Sequence, residues 1–181
     1  MKKKIESYVM KKIGIFFGTN TGNTKKVAKQ IKKQFKKNKF KVKLYNISKS
    51  KKKDIESFNI LIFGISTWYY GEVQFDWDNF LPYLKKIDFF NKKIAIFGCG
   101  DQEDYTEYFC DAMRIIYNII KKNNGCIVGN WSIKNYNFKK SRSLINSKEF
   151  LGLVIDEDRQ SHLTKKRVYN WSKSLLKYFN E

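Results

Sequence analysis

FFGTNTGNTKKV, residues Phe16 to Val27, is the stretch on which the reading of the fold turns. It closes an apolar run, passes through Gly18, a series of hydroxyl and amide residues and Gly22, and then opens a helical pattern with Val27, Ala28, Ile31 and Phe35 on one face. A strand that turns tightly into a helix aims backbone N–H groups and the positive end of the helix dipole at one point, which suits an anion. Yet Gly18 to Thr24 contains no Lys or Arg, in a chain of 181 residues with a formal net charge of +20. It is not a Walker A loop: three residues, not four, separate the glycines, and Asn23 stands where the lysine belongs. Nor is it G-x-G-x-x-G. A terminal monophosphate held by neutral donors fits better than a magnesium-linked triphosphate. The plainer alternative makes Thr24 an ordinary helix cap beside a tight turn.

Working outward, five apolar runs have strand length and glycine boundaries: 12–18, 40–47, 59–66, 93–100, and 125–131 with a continuation at 150–156. Helical patterns lie between and after them, at Thr24–Lys37, Phe75–Lys85, Tyr105–Lys122 and Leu163–Phe179. Alternating strands and helices predict an α/β fold with a doubly wound parallel sheet. The polar segment Ser132–Glu149 has no clear period and either interrupts the fifth strand or follows it. In such sheets ligands sit beyond the carboxyl ends of the strands, which selects loops 18–24, 66–72, 98–105 and 156–162.

An apolar share of 42% with 17% aromatics supports a folded core. No apolar run reaches the roughly 18 to 20 residues of a membrane span. Residues 1–13 begin with basic residues, but no uninterrupted apolar segment follows, so a cytoplasmic protein is expected. The thiols Cys99, Cys110 and Cys126 form no C-x-x-C pair and are expected to be free. Only four of the 37 basic residues are Arg, and Pro occurs once, a skew that an AT-rich coding sequence produces. Dispersed charge is therefore expected, with no specific nucleic-acid surface, although +20 gives nonspecific polyanion affinity at low salt. The single histidine, His162, has no partners for a nucleophilic triad or a metal site and reads as a surface residue.

Loop 66–72 reads Ser66-Thr67-Trp68-Tyr69-Tyr70-Gly71-Glu72, with three aromatics suited to stacking on a flat ligand. Loop 98–105 combines Gly98 and Gly100, which permit close backbone approach, with Tyr105. One phosphate loop and two aromatic loops at the same sheet edge favour a planar heterocycle with a phosphate tail. The segments GTNTGNT, STWYYGEVQFDWDNFLP, IFGCGDQEDYTEYFCDA and GLVIDEDRQSHLT resemble the FMN loops and flanks of long-chain bacterial flavodoxins, particularly the enterobacterial housekeeping type. The resemblance runs from about Lys11 to the C-terminus. It implies a flavodoxin-like five-stranded parallel sheet of order 2-1-3-4-5, with the long-chain insertion in or after the fifth strand. It also implies a noncovalent FMN that carries electrons between enzymes.

By position, the resemblance gives the phosphate to Thr19, Asn20, Thr21, Asn23 and Thr24, and the isoalloxazine faces to Trp68 and Tyr105. Thr67 and Asp158 fall near the ribityl chain, and Cys99, Gly100 and Asp101 along the pyrimidine edge. The Tyr69-Tyr70-Gly71 backbone would face flavin N5, where in the family a peptide reorients as N5 gains a proton. A Tyr at position 69, where some relatives have Gly or Asn, makes positive φ more costly. Lys25 and Lys26 begin one turn later and are expected beyond the pocket.

Flavodoxins are usually acidic, and this chain is not. Its acids are nevertheless concentrated: nine fall between Glu72 and Asp111 against four lysines, and Asp156, Glu157 and Asp158 stand together at another site loop. Negative charge around the ring would push the second one-electron reduction to low potential and attract a basic docking face. The resulting expectation is a low-potential one-electron carrier, not an enzyme. Its partners would be an NADPH-dependent flavodoxin/ferredoxin reductase and low-potential acceptor enzymes, met by transient electrostatic docking. A monomer is expected, with no membrane association. The alternative is an FMN-dependent quinone-type oxidoreductase. Residues 11–181 are expected to form one domain, and residues 1–10 a disordered extension.

Overall fold

The computed structural model describes residues 10–181. The expected extension therefore lies, apart from Met10, outside the described residues. Five principal strands, β1 (Lys12–Phe17), β2 (Lys41–Asn46), β3 (Ile60–Trp68), β4 (Lys93–Cys99) and β5 (Leu153–Ile155), form one sheet. They are mutually parallel, in the order β2-β1-β3-β4-β5. Register brings their carboxyl ends level: Phe17 lies beside Asn46 and Gly64, and Cys99 beside Ser66 and Ile155.

Burial of both sheet faces explains the near-continuous apolar strands, and the period of two sorts their side chains. Ile13, Ile15 and Phe17 face α1 (Asn23–Lys37) and α5 (Ser161–Asn180), packing with Val27, Ile31, Phe35 and Trp171. Phe16, Leu61, Phe63 and Ile65 face the opposite layer. That layer contains α2 (Lys52–Glu56), α3 (Phe75–Leu84) and α4 (Ala112–Lys122). One fully buried tryptophan anchors each layer. Trp77 Nε1 donates to Gly64 O at 2.9 Å, and Trp171 Nε1 to Gly129 O at 2.7 Å. Truncating either to Ala removes a large buried ring and costs about 3–5 kcal/mol.

The fifth strand is interrupted. Cys126–Ile127 pairs with the start of β4, and β5 pairs with its end. Between them the chain forms a small antiparallel sheet from Trp131–Ser132, Leu144–Asn146 and Glu149–Phe150. This insertion is built into the core, because Tyr136, Phe138 and Phe150 surround Phe109 at 5.3–6.1 Å between ring centroids. The Tyr136 hydroxyl donates to Val154 O and accepts from Trp131 Nε1, and Arg167 lies 4.0 Å over its ring.

Two helical expectations change. The pattern from Tyr105 becomes helical only at Ala112, because residues 105–111 form successive turns and Cys110 has φ 56, a left-handed conformation that a right-handed helix cannot continue. The five-residue α2 was not anticipated. Among the described residues no helix is long and apolar enough to cross a membrane. The strand order reverses direction between β1 and β3, and open sheets bind ligands beyond such a point, a rule that this strand order itself commonly illustrates.

Candidate functional site

The exit of β1 is shaped by close packing. A Cβ on Gly18 would stand 2.2 Å from Gln74 Oε1 and 2.7 Å from Trp77 Cδ1, so no other residue fits without displacing the start of α3. Gly22 adopts φ 95 at the N-cap of α1, and its N–H donates to Thr19 Oγ1 at 3.0 Å. Thr19 thus braces the loop from within. The first amides of α1 have no partner inside the helix and remain available. Asn20, Thr21, Asn23 and Thr24 line one cleft. Thr24 is not the cap: Gly22 takes that position, and Thr24 is buried within the first turn.

Gln74 fastens this loop to its neighbour. Its side chain is buried, and Nε2 donates to Asn20 Oδ1 at 2.6 Å and to Asp76 Oδ2 at 2.9 Å. A glutamine after the two-residue strand Glu72–Val73, which pairs with the end of β3, has no motif to announce it.

At the exit of β3, Ser66, Thr67 and Trp68 line the same cleft. Trp68 Nε1 donates to Ser66 Oγ at 3.3 Å, and Thr67 Oγ1 accepts from Ala112 N at 3.2 Å, which caps α4. The chain then reverses: Gly71 N donates to Trp68 O at 3.2 Å, with Tyr69 at φ 45 and Gly71 at φ 96. Tyr69, Tyr70 and Gly71 are not on the cleft wall. The Tyr69 ring lies 6.2 Å from Trp68, the Tyr70 ring meets Tyr108 edge-on at 5.7 Å, and Gly71 packs against Asp111.

The exit of β4 brings Cys99, Gly100, Asp101 and Tyr105 to the cleft, and the exit of β5 brings Glu157 and Asp158. Two carboxylates join these loops. Asp156 is fully buried and accepts the N–H groups of Gln102, Asp158 and Arg159. Asp101 accepts the N–H groups of Glu103 and Asp104, and a fork from Arg159. Burial alone would raise the Asp101 carboxyl, but Arg159 and the two backbone donors hold it below the usual value. Asp158 lacks such support: burial, then the charges of Asp101 and Asp156, push it up. Burial also pushes the Cys99 thiol up to about 12.

Lys25 is exposed as expected, but Lys26 is not remote from the site: it forms an ion pair with Glu157, whose side chain is only 4% exposed. Ser66 and Arg159 are further residues of the site region without an expected role, and Glu157, expected among the rim acids, lines the cleft. Arg159 could have been suspected, as a rare arginine beside an acidic run.

A neutral donor loop at a helix start, aromatic residues on two loops lining one cleft and an acidic rim, all at the carboxyl edge of a parallel sheet, place the protein among doubly wound α/β proteins that bind a phosphorylated planar ligand. The chain belongs to the flavodoxin family, whose model matches residues 15–171. It is 59% identical over 171 residues to a flavodoxin of Buchnera aphidicola subsp. Acyrthosiphon pisum, covering 94% of this chain and 99% of that one. It is 52% identical over 162 residues to flavodoxin 1 of Escherichia coli K12, covering 90% and 91%. The crystal structure of Fusobacterium nucleatum flavodoxin bound to flavin mononucleotide superposes with a TM-score of 0.87 at 36% identity, covering 94% of this chain and 99% of that one.

Proposed function

We propose that this protein is a low-potential one-electron carrier that works with noncovalently bound FMN and transforms no substrate of its own. The observation that carries the reading is the donor set of the first loop. The unpartnered amides at the start of α1 and the side chains of Asn20, Thr21, Asn23 and Thr24 converge on one cleft and supply hydrogen bonds and a helix dipole without a full positive charge. A single phosphate matches that set. Trp68 and Tyr105 line the same cleft, which suits a flat ring system attached to the phosphate.

When bound, FMN supplies chemistry that accepts and releases electrons singly. The chain's own residues do the rest. Thr21, Asn23 and Thr24, with the loop braced by Thr19, hold the phosphate, and Thr67 and Asp158 line the connecting chain. Trp68 and Tyr105 bracket the ring and exclude water from its faces. Cys99, Gly100 and Asp101 offer backbone and polar groups to one edge, and the backbone of the Tyr69-Tyr70-Gly71 turn, which is not part of the cleft wall, would meet another as the ring binds. The acids at positions 101, 103, 104, 157 and 158, offset only in part by Arg159 and Lys26, would oppose the build-up of negative charge in the cleft and so make the loaded protein a strong reductant.

The same acids suit transient docking to basic faces of an NADPH-dependent flavodoxin/ferredoxin reductase and of low-potential acceptor enzymes. We take residues 11–181 as one unit acting as a monomer. Three free cysteines fit a reducing, cytoplasmic compartment. The test is direct. Purified protein should show a flavin spectrum, or acquire one with added FMN, and should pass electrons from a reductase to an acceptor. A protein that ignores FMN would overturn the reading, and so would one that by itself steadily oxidises NADPH with a quinone.

A further inference from the structure

Arg159 is the fourth residue after β5, and its backbone N–H donates to the buried Asp156 carboxylate at 2.9 Å. This holds its side chain over the loop that follows β4. Its Nε lies 3.2 Å from both Asp101 oxygens, and its Nη2 lies 3.1 Å from Asp101 Oδ2 and 2.9 Å from Asp104 Oδ2. Nη1 lies 3.4 Å from Glu103 Oε2. One guanidinium thus faces three carboxylates of a single turn.

These contacts are unequal. Glu103 and Asp104 have side chains 60% and 69% exposed, and ion pairs of that kind contribute about 0–1 kcal/mol. Asp101 is only 8% exposed, at the cleft wall, and its contact is a charge-assisted fork, the stronger geometry. Its carboxylate also accepts the N–H groups of Glu103 and Asp104, and its carbonyl accepts that of Tyr105 at 3.2 Å. The turn carrying Tyr105 is therefore organised by Asp101, and Asp101 is held by Arg159.

We propose that Arg159 is the positioning residue of the ring side of the cleft: it holds Asp101 and the turn that presents Tyr105, and it sets a positive charge among the acids of the rim. The inference rests on the FMN reading. It separates the ring side of the cleft, governed by Arg159, from the phosphate side, governed by the loop at α1.

The test compares wild type, Arg159→Gln, Arg159→Lys and Thr21→Ala for binding of FMN and of riboflavin, which has the ring but no phosphate. Arg159→Gln should weaken both ligands by the same factor, tenfold or more. Thr21→Ala should weaken FMN and leave riboflavin unchanged. Loss of the charge should also weaken the fully reduced flavin more than the less reduced form. A further tenfold loss there appears as a shift of about 59 mV to more negative potential in a one-electron couple. Arg159→Lys should keep most of the potential but not the affinity, since an ammonium lacks the fork. Unchanged affinities and potentials in Arg159→Gln, or a loss confined to FMN, overturns the inference while the function stands. If wild type binds neither ligand, both fail. Should Arg159→Gln not fold, Arg159→Lys decides, because unchanged affinity for both ligands in that variant removes any role for the fork.

Discussion

The buried carboxylate of Asp156 accepts the backbone N–H of Gln102 at 3.1 Å, so the loop after β5 is fastened to the loop after β4. The same side chain accepts from Asp158 N and Arg159 N. Asp156→Ala leaves three donors without an acceptor, and hydrogen bonds to a charged group each contribute about 1.5–3 kcal/mol. Because only the Gln102 contact is fully buried and water can reach the Asp158 and Arg159 amides, a loss of about 3 kcal/mol in urea unfolding is expected. Asp156→Asn retains one acceptor oxygen and should lose less.

Tyr69 lies at φ 45 with its side chain largely exposed, so the backbone strain, about 1–2 kcal/mol for a non-glycine residue, is offset by little packing. Tyr69→Asn, which tolerates this conformation, should stabilise the flavin-free protein by about 1 kcal/mol. A higher denaturant midpoint at unchanged slope would show it. Tyr69→Gly should gain less, because glycine also loses about 0.5–1 kcal/mol of backbone entropy on folding.

Asp101 gives stability an acid-side dependence. Despite burial, Arg159 and two backbone donors hold its carboxyl below the ordinary 3.8. A carboxyl whose folded value is depressed adds stability that is complete above its unfolded value and disappears as pH falls through the folded one. Wild type should therefore lose stability as pH falls below about 4. Asp101→Asn should be less stable at neutral pH and show a flatter acid limb, measured by unfolding at a series of pH values.

On the phosphate side, Thr21→Ala should weaken FMN binding by about tenfold or more, the equivalent of one hydrogen bond to a charged group. Lys25→Ala should change it by less than about threefold at physiological salt, since an exposed charge outside the cleft is screened. Equal losses in a fluorescence titration would contradict the neutral-donor site.

The cysteines should differ sharply in reactivity. Cys126 is exposed, Cys99 and Cys110 are buried, and burial pushes the Cys99 thiol up to about 12. A thiol reagent near pH 8 should modify Cys126 alone in the native protein and all three after unfolding, as read by intact mass.

Local chemistry made much of the molecule legible. The apolar strands, the glycines that end them, and the helical face of Val27, Ala28, Ile31 and Phe35 are consequences of short-range sterics and periodicity, and they suffice to imply a parallel sheet with loops at its carboxyl edge. Asn20, Thr21, Asn23, Thr24, Thr67, Trp68, Cys99, Gly100, Asp101, Tyr105 and Asp158 were legible as candidates because they stand at or just beyond strand ends and match the flavodoxin segments, and they line one cleft.

Residue order alone was thus enough for the class of fold and the loops of the site. Which distant groups meet there depends on how the chain packs. Gln74 holds Asn20 from 54 residues away, and Arg159 holds Asp101 from 58 residues away. Lys26 reaches Glu157 from across the sheet edge, and the turns through Cys110 delay α4 to Ala112. None of these pairings follows from neighbouring residues. They arise because strand register brings the carboxyl ends of β1, β3, β4 and β5 level, and because buried polar groups must then find partners among whatever that register brings near.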